Sequence, residues 1–201
     1  MVQNPYQNAL LPAPVGGGYS DPDYWIWCGS VVQGEDGAYH MFASRWPKDL
    51  GFGANWLFNC EIVRASSKNP EGPYTFQEVV LGRRGRTFFD GMNVHNPYIR
   101  KWNQTYYLYY MGTTFGGPIP GPGDEVDSSR FTEVWNRKRI GLAIAPSVFG
   151  PWTRCDEPLI SPRDCSHWDC TATTNPAVAI QPDGTTYMLY KSRSFADGPL
   201  K

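Results

Sequence analysis

The chain predicts an all-β fold, a β-propeller of four-stranded antiparallel blades, and three observations carry that prediction. A pattern of Asp, five residues, Gly-Ser or Asn-Pro, a strand, a tight turn and an aromatic strand begins at Asp23, Asp90 and Asp169. A second pattern of strand, Gly-Pro corner and strand follows the first two copies, over 61–81 and 139–160. Between these runs no helix of useful length is expected. A repeat fixes architecture before any single residue does. Hairpin joined to hairpin makes a four-stranded unit, and such units recurring around an axis make a propeller.

Each element follows from local chemistry. The first hairpin turns at Asp36-Gly37, flanked by β-rich runs. The second and third turn at Asn103-Gln104 and Asp183-Gly184, and their return strands are the aromatic runs 106–110 and 187–190. Continuous apolar runs of this length suit strands buried on both faces. In the second pattern Ile62, Ala65, Gly72 and Pro73 fall on Ile140, Ala143, Gly150 and Pro151. The blade units are expected over 23–81, 90–161 and 169–201 of a single domain, the last holding half a blade. Closed propellers have about four to eight blades. The chain therefore reads as a partial ring with an open edge and an apolar face, and a homo-oligomer completing the ring is expected. The Gly- and Pro-rich segment 113–131 reads either as a solvated insertion or as a loop over the channel mouth.

Composition narrows the function classes. The chain has 201 residues and a net charge of −1, without the basic face that nucleic acid needs. No apolar run is long enough for a membrane helix. The first residues lack a basic end followed by an apolar run, so no signal peptide is read, although a secreted parent whose leader has been removed is compatible. Five cysteines without framework spacing leave the compartment open. Cys165, His167 and Cys170 lack the paired spacing of a zinc site, so no metal or cofactor is assigned. Asn103-Gln-Thr105 is a glycosylation sequon. The aromatic content, 15%, suits inter-sheet packing or a sugar-stacking platform.

Asp23, Asp90 and Asp169 open the three copies, so they are expected to converge near the axis. Glycosidic cleavage needs one group to protonate the leaving oxygen and another to activate water or attack. Clustered carboxylates separate their pKa values as that division requires. Each Asp also suits a turn. Asn96 and Asn175 either bond sugar hydroxyls or brace the strand start. Trp27, Arg45 and Trp46 either stack and clamp a sugar or fill space between blades. Glu61 either faces the funnel or pairs with Arg64.

The blade grammar of Asn96-Pro97-Tyr98-Ile99 with the 106–110 run, the corners Pro70-Glu-Gly-Pro-Tyr74 and Phe149-Gly-Pro-Trp152, and the string His40-Met-Phe-Ala-Ser-Arg-Trp46 resembles the five-bladed propeller glycoside hydrolases, families 43 and 117 and their relatives. The resemblance covers nearly the whole chain and about half of the expected family domain, or two and a half blades. It implies a carbohydrate partner and hydrolysis of a plant or algal saccharide, as by an arabinofuranosidase, xylosidase or anhydrogalactosidase. It implies Asp23, Asp90 and Asp169 as the carboxylates and His95 as a proton-transfer group, the latter by analogy with family 117. In family 43 acids precede the Pro at the strand start. Here Cys28-Gly29, Asn96-Pro97 and Asn175-Pro176 hold no acid, so the carboxylates lie six residues earlier or the site binds without catalysing.

Overall fold

The computed structural model describes Tyr6, Ala9 and residues 11–194. Two four-stranded antiparallel sheets and one hairpin make up its β structure, in the order of partial propeller blades. The first blade is β1 (Tyr24–Gln33), β2 (Tyr39–Pro47), β3 (Glu61–Ser67) and β4 (Thr75–Leu81). The second is β5 (Asn93–Trp102), β6 (Thr105–Thr113), β7 (Arg139–Ala145) and β8 (Thr153–Arg154). The third, among the described residues, holds β9 (Thr174–Ile180) and β10 (Thr186–Lys191). Each strand pairs with its sequence neighbour.

The hairpin turns use their sequence signals. Gly37 (φ 79°) and Gly184 (φ 89°) take the left-handed positions that their turns require, as does Asn103 (φ 46°). The two Gly-Pro corners sit at matching places, and both peptide bonds are cis.

Three further left-handed residues define the internal symmetry. Cys28 (φ 53°), Asn96 (φ 52°) and Asn175 (φ 54°) each sit at a bulge in the innermost hairpin of their blade. A left-handed non-glycine residue is uncommon, and asparagine tolerates it best. Register then equates Trp27, His95 and Thr174, the residues just before each bulge. A bulge bends its strand and re-aims the neighbouring side chains.

The main core lies between the first two blades. Phe42 and Ile62 from one meet Ile99, Leu108, Tyr110 and Ala143 from the other, with Trp152 packed against them. Fully burying such a side chain contributes roughly 1.5–3 kcal/mol. A second cluster lies under two helices that the sequence reading did not expect. α1 (Trp56–Asn59) lies between β2 and β3, and α2 (Ser128–Asn136) between β6 and β7. Asp127 caps α2 by accepting a 2.9 Å bond from the Arg130 N–H. Leu57, Phe58, Phe115 and Val134 close this cluster, with Trp56, Phe131 and Trp135 against it. The Gly- and Pro-rich segment thus ends in a helix that carries an aromatic wall.

Candidate functional site: an aromatic cavity on the blade axis

A cavity of about 240 Å³ opens where the innermost strands of the three blades meet. Trp27, His95 and Thr174, the three register-equivalent residues, all line it, as do the left-handed Asn96 and Asn175. The bulges therefore supply the floor of the site. Trp46 and Phe52 enter from the end of the first hairpin, and Trp56 and Trp135 from α1 and α2. Lys138 and Lys191 complete the wall.

The aromatic groups pack against one another in edge-to-face and tilted pairs. Trp56 meets Trp135 at 5.5 Å and 86°, and Trp46 lies 5.5 Å from Phe52. Such pairs add about 0.5–1.5 kcal/mol beyond their buried area. Trp46 also donates to the Gly51 carbonyl at 3.2 Å, fixing its indole. His95 shares a 3.0 Å hydrogen bond with Ser44 Oγ, which also accepts from the Asn96 N–H at 2.9 Å. Burial, and then the Lys138 charge, lowers the His95 pKa to about 3, so its ring is neutral at physiological pH. Asn96 Oδ1 is buried without a hydrogen-bond partner, although most buried polar atoms have one.

The structure places the three expected carboxylates outside this cavity. Asp90 is fully buried and does not line the cavity. Arg84 and Arg154 reach it at 2.7 and 3.3 Å, and Tyr110 donates to it at 2.7 Å. Gly112 makes room for it, since a Cβ there would lie 2.3 Å from Asp90 Cβ. Asp169 repeats the arrangement with Arg163 at 2.7 Å and Tyr190 at 2.6 Å. Desolvation raises the Asp169 pKa, but the Tyr190 and Arg163 bonds outweigh it and hold the carboxyl below its usual range. Both oxygens of each carboxylate are bonded to an Arg or a Tyr, and neither carboxylate reaches the cavity.

Asp23 fails for a different reason. Register matches Cys28, not Gly29, to Asn96, so the residue equivalent to Asp90 is Pro22. Asp23 is exposed, outside the cavity. Arg45 and Glu61 are also elsewhere. They pair with each other at 2.8 Å, and Arg45 lies over the Tyr24 and Phe76 rings at 4.1 and 4.3 Å. Arg64, the expected partner of Glu61, pairs with Glu78 instead. His95 lines the cavity, and its neutral ring, with one donor and one acceptor nitrogen, is suited near pH 7 to hydrogen bonding rather than to acting as a charged acid. No carboxylate among the described residues lines the cavity.

Of the cavity's lining, the sequence reading singles out Trp27, Trp46, His95, Asn96 and Asn175, and not Phe52, Trp56, Trp135, Lys138, Thr174 and Lys191.

No protein-family model matches the chain, and no curated protein matches it. Solved structures do match. The chain is similar to a family 117 glycoside hydrolase of the marine bacterium Zobellia galactanivorans, with a TM-score of 0.64 at 20% identity over 86% of this chain and 49% of that one. It is also similar to a GH43 enzyme from Xanthomonas citri solved with xylotriose, with a TM-score of 0.52 at 17% identity over 84% of this chain and 40% of that one. An arabinanase of Bacillus subtilis gives 0.51 at 18% identity, over 81% and 46%. These likenesses show the fold, a partial β-propeller. The chain spans about half the length of the structures it matches, or less.

Proposed function

We propose that the protein is a carbohydrate-binding propeller of the glycoside hydrolase type, which takes the end of a plant or algal saccharide into the axial cavity. One observation carries the reading. Trp27, Trp46, Phe52, Trp56 and Trp135 line a single cavity with His95, Asn96 and Asn175. Flat apolar faces suit the C–H faces of a sugar ring, and a few convergent amide and imidazole groups suit its hydroxyls. Asn96 Oδ1 is buried beside the cavity without a partner, so a small shift of the side chain on binding would let it accept from a sugar hydroxyl.

Hydrolysis is a second reading, favoured by the fold shared with the Zobellia, Xanthomonas and Bacillus enzymes. It requires an acid–base pair that the described residues do not bring to the cavity. A second copy of the chain, docked on the open third blade, is the source we propose for it. The test is tryptophan fluorescence titration with arabino-, xylo- and agaro-oligosaccharides, with product analysis on the same samples. Saturable quenching without products supports binding, and products with quenching support hydrolysis by an assembled ring. Absence of both sinks the carbohydrate reading.

A further inference from the structure

Lys138 is unexplained by sugar stacking. It follows α2, is 1% exposed and lines the cavity. Its Nζ lies 2.9 Å from the Trp135 ring centroid and 5.8 Å from that of Trp56. Lys191 Nζ, from β10, lies 5.7 Å from the same Trp135 ring. Among the described residues neither lysine has a carboxylate partner.

The other charged or titratable groups nearby offer no counter-ion. His95 on β5 is neutral. Arg139 on β7 donates to the carbonyls of Asn136 and Lys138, each at 2.9 Å. Glu133 on α2 is held by Arg137 at 2.8 Å. A buried cation is normally paired. An aromatic face offsets part of its desolvation, but two lysines converging on one tryptophan repel each other. Burial, with Lys191 second, holds the Lys138 amine well below the usual lysine range. The wall is therefore short of one anion.

We propose that the saccharide bound in this cavity carries an anionic substituent, a uronate carboxylate or a sulfate ester, which seats between Lys138 and Lys191 while the sugar ring lies on the tryptophans. This rests on the carbohydrate reading above. The aromatic walls make the cavity more than a site for a bare ion. Docking the anion favours the ammonium form of Lys138, so binding takes up a proton and weakens as pH rises.

The experiment titrates tryptophan fluorescence at low salt with matched probes. These are trigalacturonic acid and its methyl ester, a sulfated galactose disaccharide and its desulfated form, and inorganic sulfate. One acidic probe is expected to bind at least about tenfold tighter than its neutral partner, and which one does so identifies the anion. Lys191→Met and Lys138→Met should each abolish that preference. Lys138→Met should also raise the melting temperature, because it removes a buried amine that has no carboxylate partner among the described residues, which shows that the variant folds. Equal affinity for acidic and neutral probes overturns the proposal and leaves the carbohydrate reading standing. So does an acidic preference that survives both substitutions. Inorganic sulfate binding as tightly as the sulfated sugar overturns the saccharide part, and no binding of any sugar overturns both readings.

Discussion

Asp90 and Asp169 share one three-part arrangement, which gives their repetition a structural reason. An Arg six residues upstream and a Tyr from the return strand of the hairpin grip each carboxylate, so Arg84 and Tyr110 serve Asp90 as Arg163 and Tyr190 serve Asp169. The loop before each blade is thereby pinned to the second strand of that blade. Asp90→Asn is expected to destabilise the fold by about 2–4 kcal/mol, because it leaves Arg84 and Arg154 facing a neutral amide. Sugar binding by the folded fraction should be unchanged. Urea denaturation and fluorescence titration of one variant check both, and a stable variant that no longer binds sugar would return Asp90 to the site. The repeated Asp was legible in the sequence, but its Arg and Tyr partners were not read from it. A carboxylate repeat looks the same whether it faces a channel or a guanidinium, and only the fold brings the arginine round.

The turn between β1 and β2 acts as a staple between elements of different blades. Glu35 accepts from Tyr106 of β6 at 2.7 Å and from Ser147 in the turn after β7. The Val148 N–H adds bonds of 3.3 Å. Desolvation raises the Glu35 pKa, but the Ser147 and Tyr106 hydroxyls outweigh it and lower it from 4.5 to about 2. A depressed pKa contributes stability above the unfolded value that is lost as pH falls through the folded one. Because Glu35 is exposed, the contribution is discounted for solvent screening to about 1 kcal/mol. Glu35→Gln should lose that amount at pH 7, and the gap from the parent should close between pH 4.5 and about 2. Chemical denaturation of both proteins across that range measures it, and a gap that stays constant with pH would show that the staple is not ionic. At this scale the strands were readable because β-rich apolar runs and turn residues are local signals. The helix α2 was not, although Asp127 before Ser-Ser-Arg130 is a recognisable cap. Its stability comes from packing Val134 and Trp135 into a distant cluster, so Trp135 and Lys138 reach the cavity by contacts that no local window contains.

Across the whole molecule, one position read in three blades shows how the ring is covered. Register equates Phe42, Tyr109 and Leu189. Phe42 is 0% exposed and Tyr109 5%, because the next blade packs over each, whereas Leu189 is 78% exposed and Tyr187 63%. Among the described residues β10 also pairs on one edge only. A bare strand edge beside an apolar face is a template for another chain. The second copy proposed above would dock on this hairpin, and light scattering of the 201-residue chain should then show a mass that rises with protein concentration above the 22.6 kDa of one chain. Leu189→Lys places a charge on that face and should hold the protein at one-chain mass without unfolding it, since no described neighbour depends on the leucine. If hydrolysis requires the second copy, product formation should disappear with the oligomer while fluorescence quenching by sugar persists. A parent protein that stays at one-chain mass at every concentration would leave the axial cavity to act alone, as a binding site.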